Sequence, residues 1–391
     1  MQALRIAFLC PEDPDNLMAW SGTHHFIVQA LKGQGSSVEV VKMPGDFGRK
    51  FESFSRRVQN RLRPGSALPH TFESAKRYAR NFMRSDTMFR HDFDVVVGSA
   101  ASPMLAALPG GFPLVHISDT TFRAMIDYYE SFSGLTSRAI DSGDRVEAAV
   151  LARADLTVLP SDWAARSAID DYGVPAEKVL VAPFGPNLTH PPTELRRGQG
   201  SPEGKLKILF VGRRWSEKGA DVAVEAVERL RGLGVDASLT LCGLVPPDSW
   251  SRDWIRAIPE IDKNTPAGEA QLVDLYREHD VFLLPSRAEC YGLVLCESAA
   301  FGLPAVASRT GGIPTIVADG ESGFLVAPEE GAMGFAKKLR ILADNPGLRT
   351  QLSNQSWERY CRRLNWDAWG ASVTEAIRNL IQDQEAARLE P

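Results

Sequence analysis

Cysteine is scarce in this 391-residue chain: Cys10, Cys242, Cys290, Cys296 and Cys361 are odd in number, scattered and never spaced C-x-x-C, which argues against a disulfide framework and a zinc site. An excess of positive charge is also missing, since 44 Lys and Arg face 49 Asp and Glu, and this disfavours a nucleic-acid binder. The longest uncharged run, 95–115, is broken by Pro103, Pro109, Pro113 and three glycines, so it reads as strand, loop and strand rather than a membrane helix. The apolar stretch 4–10 is too short for a signal-peptide core and reads as a first strand, which with the unpaired cysteines predicts a cytoplasmic protein. No G-x-S-x-G nucleophile elbow occurs.

What is present is alternation. Short runs rich in Val, Ile and Leu recur between helical stretches, as buried strands of parallel sheets do. In the first half they fall at 4–9, 38–41, 95–97, 114–117, 156–159 and 179–181; in the second at 206–211, 238–241, 281–284, 305–307 and 324–326. Right-handed βαβ units follow, and hence an α/β chain of two Rossmann-like, doubly wound domains. The polar, Pro- and Gly-rich segment 191–204 reads as the linker, which predicts domains at 1–190 and 205–365, with an amphipathic terminal helix from 366 to 391.

The chemistry gathers in Pro285-Ser-Arg-Ala-Glu289-Cys-Tyr-Gly292-Leu293-Val294-Leu-Cys-Glu297 and onward to Gly302-Leu-Pro304. A buried strand feeds a loop, and a helix starts near Gly292 and ends at Gly302. The first amides, around Gly292, Leu293 and Val294, lack intrahelical acceptors and so form an anion site. Glu289 just before the helix and Glu297 one turn inside it suit hydroxyl-rich ligands, one toward a sugar and the other toward a ribose. Carboxylates beside a diphosphate require cations, and Gly212-Arg213-Arg214-Trp-Ser-Glu-Lys218-Gly219 supplies them. Without that company, Glu289 and Glu297 would read as solvated carboxylates and Lys218 as a surface cation.

These residues resemble glycosyltransferase family 4, retaining enzymes of the GT-B architecture, along nearly the whole chain. The signature is two glutamates separated by seven residues, as Glu289 and Glu297 are, with Gly212, Arg213, Lys218, Gly311-Gly312-Ile-Pro314 and Asp319-Gly320 in order. The resemblance implies two domains facing across a cleft, with an N-terminal acceptor domain, a C-terminal donor domain and a terminal helix that crosses back to the first. It further implies that Glu289 bonds the transferred sugar, Glu297 the ribose, and Arg213 and Lys218 the diphosphate. Trp20-Ser21-Gly22-Thr23-His24 matches the family's glycine-containing loop, with Gly22 toward the donor phosphate and Ser21 and Thr23 on the acceptor side. His116 falls where similar enzymes place a histidine near the sugar's 6-hydroxyl, and Asp119 is a further acceptor-side candidate. Two departures bear on sugar identity: Thr315 where the family often has glutamate, and Phe184-Gly-Pro-Asn187 where it often has Asn-Gly-Val-Asp.

The implied reaction transfers a hexose from a nucleotide diphosphate sugar to a hydroxyl acceptor with retention, in cell-surface glycan or glycolipid synthesis, with no cofactor and no obligatory metal. A phosphorylase, an epimerase and a non-catalytic nucleotide-sugar binder share the architecture. Asp92-Phe-Asp94 has D-x-D spacing but immediately precedes a strand, and reads as its solvated start. Residues 49–90 mix cations with phenylalanines, a pattern of either solvated helix faces or peripheral contact with an anionic membrane at the inner face.

Overall fold

The computed structural model describes residues 3–41, 71–90, 93–195 and 204–389. By its contacts the chain divides into two compact units: Met1–Asp15, Thr23–Ala182 and Gly370–Pro391, and Asn16–Gly22 with Pro183–Trp369.

In the first unit, strands β1 (Arg5–Leu9), β2 (Ser37–Val40), β3 (Val95–Ser99), β4 (Leu114–Ile117), β5 (Leu156–Leu159) and β6 (Val179–Val181) form a parallel sheet in the order β2-β1-β3-β4-β5-β6. Helices α1 (Thr23–Gly33), α2 (Phe72–Met83), α3 (Ser137–Arg153) and α4 (Asp162–Asp170) accompany it. The starts of α2, α3 and α4 are set by hydroxyl caps, Thr71, Thr136 and Ser161 each accepting an orphan backbone N–H. Strands β3, β4 and β5 are buried along their whole length, which is why they read as unbroken apolar runs.

The second unit repeats the plan with β7 (Leu206–Val211), β8 (Ala237–Cys242), β9 (Ile255–Ile258), β10 (Val281–Leu284), β11 (Ala305–Ser308) and β12 (Gly323–Val326), ordered β12-β11-β10-β7-β8-β9. Its helices are α5 (Ala220–Gly232), α6 (Pro266–Glu278), α7 (Leu293–Ala300), α8 (Gly331–Asp344) and α9 (Pro346–Arg363). The eleven expected strands are present, and β9 is an addition. It lies at the sheet edge with Arg256 and Ala257 exposed, so it never shows the apolar run that marks a buried strand.

The last helix, α10 (Trp366–Leu389), packs with the first unit from Gly370 onward; a Cβ at Gly370 would stand 2.9 Å from the Ala30 carbonyl oxygen of α1. Residues 42–70, which include the first half of the basic stretch, and the middle of the linker, 196–203, lie outside the described residues. In the part that is described, Phe82 is fully buried, Phe72 packs against the same core and exposed Lys76 pairs with Glu73.

Candidate active site

The strand order of the second sheet reverses between β7 and β10, so the turns leaving these neighbours lie side by side at the carboxyl edge, where doubly wound sheets hold ligands. Gly219 permits the close approach: its φ is +68°, and a Cβ there would stand 2.0 Å from the Pro285 carbonyl oxygen. Arg287 fastens the two turns. Its backbone N–H donates to Glu217 (2.9 Å) and its guanidinium to the Ser216 carbonyl (2.5 Å) and both Asp221 oxygens (2.8 and 2.7 Å).

Within this frame Lys218 Nζ donates to Glu289 Oε2 at 2.8 Å, with side-chain exposures of 19% and 12%. Burial alone would lower the Lys218 ammonium, but Glu289, with Glu217 3.7 Å away, more than offsets it and holds the lysine above its usual range. Gly292, at φ +102°, turns the chain into α7, and Leu293 and Val294 open that helix half-exposed while the residues after them are buried. The Gly311-Gly312 turn backs this loop: Gly312 N–H donates to the Glu289 carbonyl (3.2 Å), and a Cβ on Gly312 would stand 2.2 Å from the Cys290 carbonyl oxygen. The N-cap of the helix thus lies three residues after the Glu289 that Lys218 holds, and the first amides of a helix, which lack intrahelical acceptors, can take an anion.

Glu297 has different partners. Its side chain is 3% exposed, with Oε1 3.0 Å from Lys263 Nζ and Oε2 2.7 Å from the Tyr276 hydroxyl. Burial, reinforced by Glu297, pushes the Tyr276 phenol well above its usual range, so it stays a proton donor. Arg213 pairs with Glu260 at 2.8 Å, both about half-exposed. Arg214 pairs instead with Glu217 at 2.6 Å.

The Trp20-Ser21-Gly22 segment groups with the second unit and has three consecutive positive φ angles, 43°, 58° and 91°. Asn187 Nδ2 donates to the Ser21 carbonyl (2.9 Å), and the Trp20 ring meets Phe184 edge-on at 6.0 Å. Asn264 Oδ1 accepts from Leu17 N–H (2.9 Å).

The remaining predicted residues belong to the first unit. Thr23 is buried at the start of α1, and the neighbouring His24 Nδ1 lies 3.0 Å from Ser99 Oγ. His116 sits on β4 in register with Gly98 and Thr157; it is fully buried, neither ring nitrogen has a hydrogen-bond partner among the described residues, and burial lowers its pKa to about 4. Half-buried Asp119 lies just beyond β4 and interacts electrostatically with Glu147 of α3. Burial raises the Glu147 carboxyl to about 7, partly opposed by a hydrogen bond to Ser102 and reinforced by Asp119 and Asp144.

Lys218, Glu289, Gly292 and Glu297, which the sequence motifs mark, lie at the ends of β7 and β10 and on α7, whereas Lys263, Tyr276, Arg287 and Glu147 stand in no motif and emerge only from the fold. Asp94 accepts from the Arg5 backbone N–H (2.8 Å) and guanidinium (2.6 Å), as a strand-start carboxylate does, while Asp92 lies outside the described residues. Among the described residues no group of three His, Cys, Asp or Glu is placed to hold a metal ion, and no helix is long and apolar enough to cross a membrane.

Residues 25–190 match the family described as Glycosyltransferase Family 4, and residues 192–359 that described as Glycosyl transferases group 1. The D-inositol 3-phosphate glycosyltransferase of Kineococcus radiotolerans is 31% identical over 310 residues, covering 71% of this chain and 68% of the relative. Among solved structures, sucrose-phosphate synthase of Thermosynechococcus elongatus is similar with a TM-score of 0.67 at 18% identity, over 97% of this chain and 100% of that one. Anabaena HepE, solved with UDP and glucose, gives a TM-score of 0.59 at 16% identity, over 96% of this chain and 100% of its own.

Proposed function

This chain belongs to glycosyltransferase family 4 and has the GT-B architecture, and we propose that it transfers a hexose from a nucleotide diphosphate sugar to an acceptor hydroxyl with retained configuration and no obligatory metal. The observation that carries the reading is the Lys218–Glu289 pair just before α7, at the switch point of the second sheet. A diphosphate accepts from the amides of Leu293 and Val294 and from Lys218 and Arg213, which stabilise it as it departs. Glu289, released from Lys218 by the incoming phosphate, accepts from hydroxyls of the sugar, and Glu297 accepts from the ribose. Gly22, in the Ser21–Gly22 turn, leaves backbone room for the donor. Glu289 is held by Lys218 and Glu297 by Lys263 and Tyr276, so neither is posed as a covalent nucleophile, and front-face transfer with the leaving phosphate taking the acceptor proton accords with those partners.

The first unit is assigned the acceptor, with Thr23 and Asp119 on the acceptor side, and His116 of β4 is assigned to the 6-hydroxyl of the transferred sugar. A glycan or glycolipid acceptor accords with the assignment, and D-inositol 3-phosphate, after which the Kineococcus radiotolerans relative is named, is a first acceptor to try.

The test is turnover of UDP-, GDP-, ADP- and dTDP-sugars by the purified chain, with and without chelator and with and without inorganic phosphate. Release of one nucleoside diphosphate that survives chelator, and disappears in Lys218→Ala and Glu289→Ala, supports the proposal. Strict dependence on inorganic phosphate, or epimerisation of free donor, overturns it.

A further inference from the structure

Glu297 is the most enclosed carboxylate of the second unit's candidate site, and it is already half-satisfied. Each oxygen has one donor: Lys263 Nζ on Oε1 at 3.0 Å and the Tyr276 hydroxyl on Oε2 at 2.7 Å. A carboxylate has about four lone-pair positions, two on each oxygen. Two fixed donors, one per oxygen, therefore leave one acceptor direction on each, a match for the two hydroxyl protons of a vicinal diol.

The donors are themselves held. Tyr276 is buried on α6, its ring stacked on Phe301 at 5.5 Å with an interplanar angle of 5°. Lys263 stands on a mostly exposed loop, yet its own side chain is only 17% exposed. That loop is folded tightly onto the start of α6. The Asp262 carbonyl accepts from Thr265 Oγ1 (2.9 Å), Asp262 Oδ1 accepts from Asn264 N–H (2.9 Å), and Thr265 Oγ1 accepts from Gly268 N–H (3.1 Å). A Cβ on Gly268 would stand 2.1 Å from the Asp262 carbonyl oxygen, so only glycine lets the helix come this close. Lys263 is thus aimed by backbone geometry, not left to find Glu297 as a loose surface cation.

We infer that Lys263 and Tyr276 are positioning residues that turn Glu297 into a bidentate acceptor for the ribose 2′,3′-diol, and so make this protein select ribonucleotide over 2′-deoxyribonucleotide donors. The inference rests on the reading of the second unit as the donor site. A 2′-deoxy ligand forfeits one bond to a buried charged acceptor and leaves that acceptor short, the kind of mismatch that discriminates strongly. Without Lys263, one oxygen of a buried carboxylate loses its donor and turns to find another, and the diol loses its matched pair of acceptors.

Calorimetric titration of the full chain with UDP and dUDP, GDP and dGDP, and ADP and dADP tests this directly. The unsubstituted protein is expected to bind one ribonucleoside diphosphate at least tenfold more tightly than its 2′-deoxy form, which is about 1.4 kcal/mol. Lys263→Met should bring the two forms within about threefold by weakening the ribonucleotide and sparing the deoxynucleotide, and Lys263→Arg should restore most of the preference. Tyr276→Phe, which removes only the hydroxyl, should lower the preference with the fold intact by circular dichroism. Equal weakening of both sugars in Lys263→Met and Tyr276→Phe, or an unchanged ratio, overturns the inference and leaves the donor site standing. Binding of no diphosphate by the unsubstituted protein overturns both.

Discussion

Lys218 and Glu289 are 71 residues apart in the chain and 2.8 Å apart in the fold. The pair is enclosed enough to matter and open enough to exchange partners, because the ammonium that neutralises Glu289 is the one a diphosphate would claim. Lys218→Met and Glu289→Gln are each expected to lower nucleoside diphosphate release by about 100-fold or more. Each should also cost about 2–4 kcal/mol of stability, with the double variant costing less than the sum. Urea unfolding of the four proteins checks the coupling; full additivity would refute it.

Gly219 is expected to tolerate no side chain. At φ +68° with the Pro285 carbonyl oxygen 2.0 Å from an added Cβ, Gly219→Ala must push the turn after β7 away from β10. A loss of about 2–4 kcal/mol follows. Weaker diphosphate binding should accompany it, whereas Gly234→Ala, also at positive φ but with nothing within 4 Å of the added Cβ, should leave binding unchanged. Melting temperature and titration with UDP and GDP separate the two effects.

Neither ring nitrogen of the fully buried His116 has a hydrogen-bond partner among the described residues, and burying an unpaired polar group costs stability. His116→Leu is therefore expected to hold or raise stability at pH 7, by up to about 2 kcal/mol, while transfer falls. Burial lowers the folded pKa to about 4, below the ordinary 6.5, so the contribution of the neutral ring is present above pH 6.5 and is lost as pH falls through 4. The variant should show a flatter acid limb. A stability loss at pH 7 equal to that of an ordinary core truncation would count against this account.

Glu147 runs with the opposite sign. Burial raises its folded pKa to about 7, above the ordinary 4.5, so stability is full below pH 4.5 and declines as pH rises through 7. Glu147→Gln should unfold like the unsubstituted protein at pH 4.5 and be more stable at pH 8, by about 1–3 kcal/mol. Thermal melts across pH 4.5–8 measure the difference, and equal curves at pH 8 would show that the carboxyl is not protonated by burial.

The amino-acid sequence by itself determined the two doubly wound halves and the strand, loop and helix that hold Glu289, Gly292 and Glu297. Those features are encoded by neighbours: unbroken apolar runs specify strands buried on both faces, and a glycine at the helix start specifies a backbone turn whatever surrounds it. Strand β9 escaped because an edge strand needs no apolar run. Tertiary structure alone decided which charges meet. Lys218 reaches Glu289 because β10 lies beside β7 while β8 and β9 lie on its other side. Lys263 and Tyr276 reach Glu297 because α6 folds against its own preceding loop at Gly268. Residues 16–22 pack with the second unit although the chain places them before α1. An ion pair across 34 or 71 residues depends on strand order and on which glycine lets two backbones touch, and spacing along the chain does not contain that information.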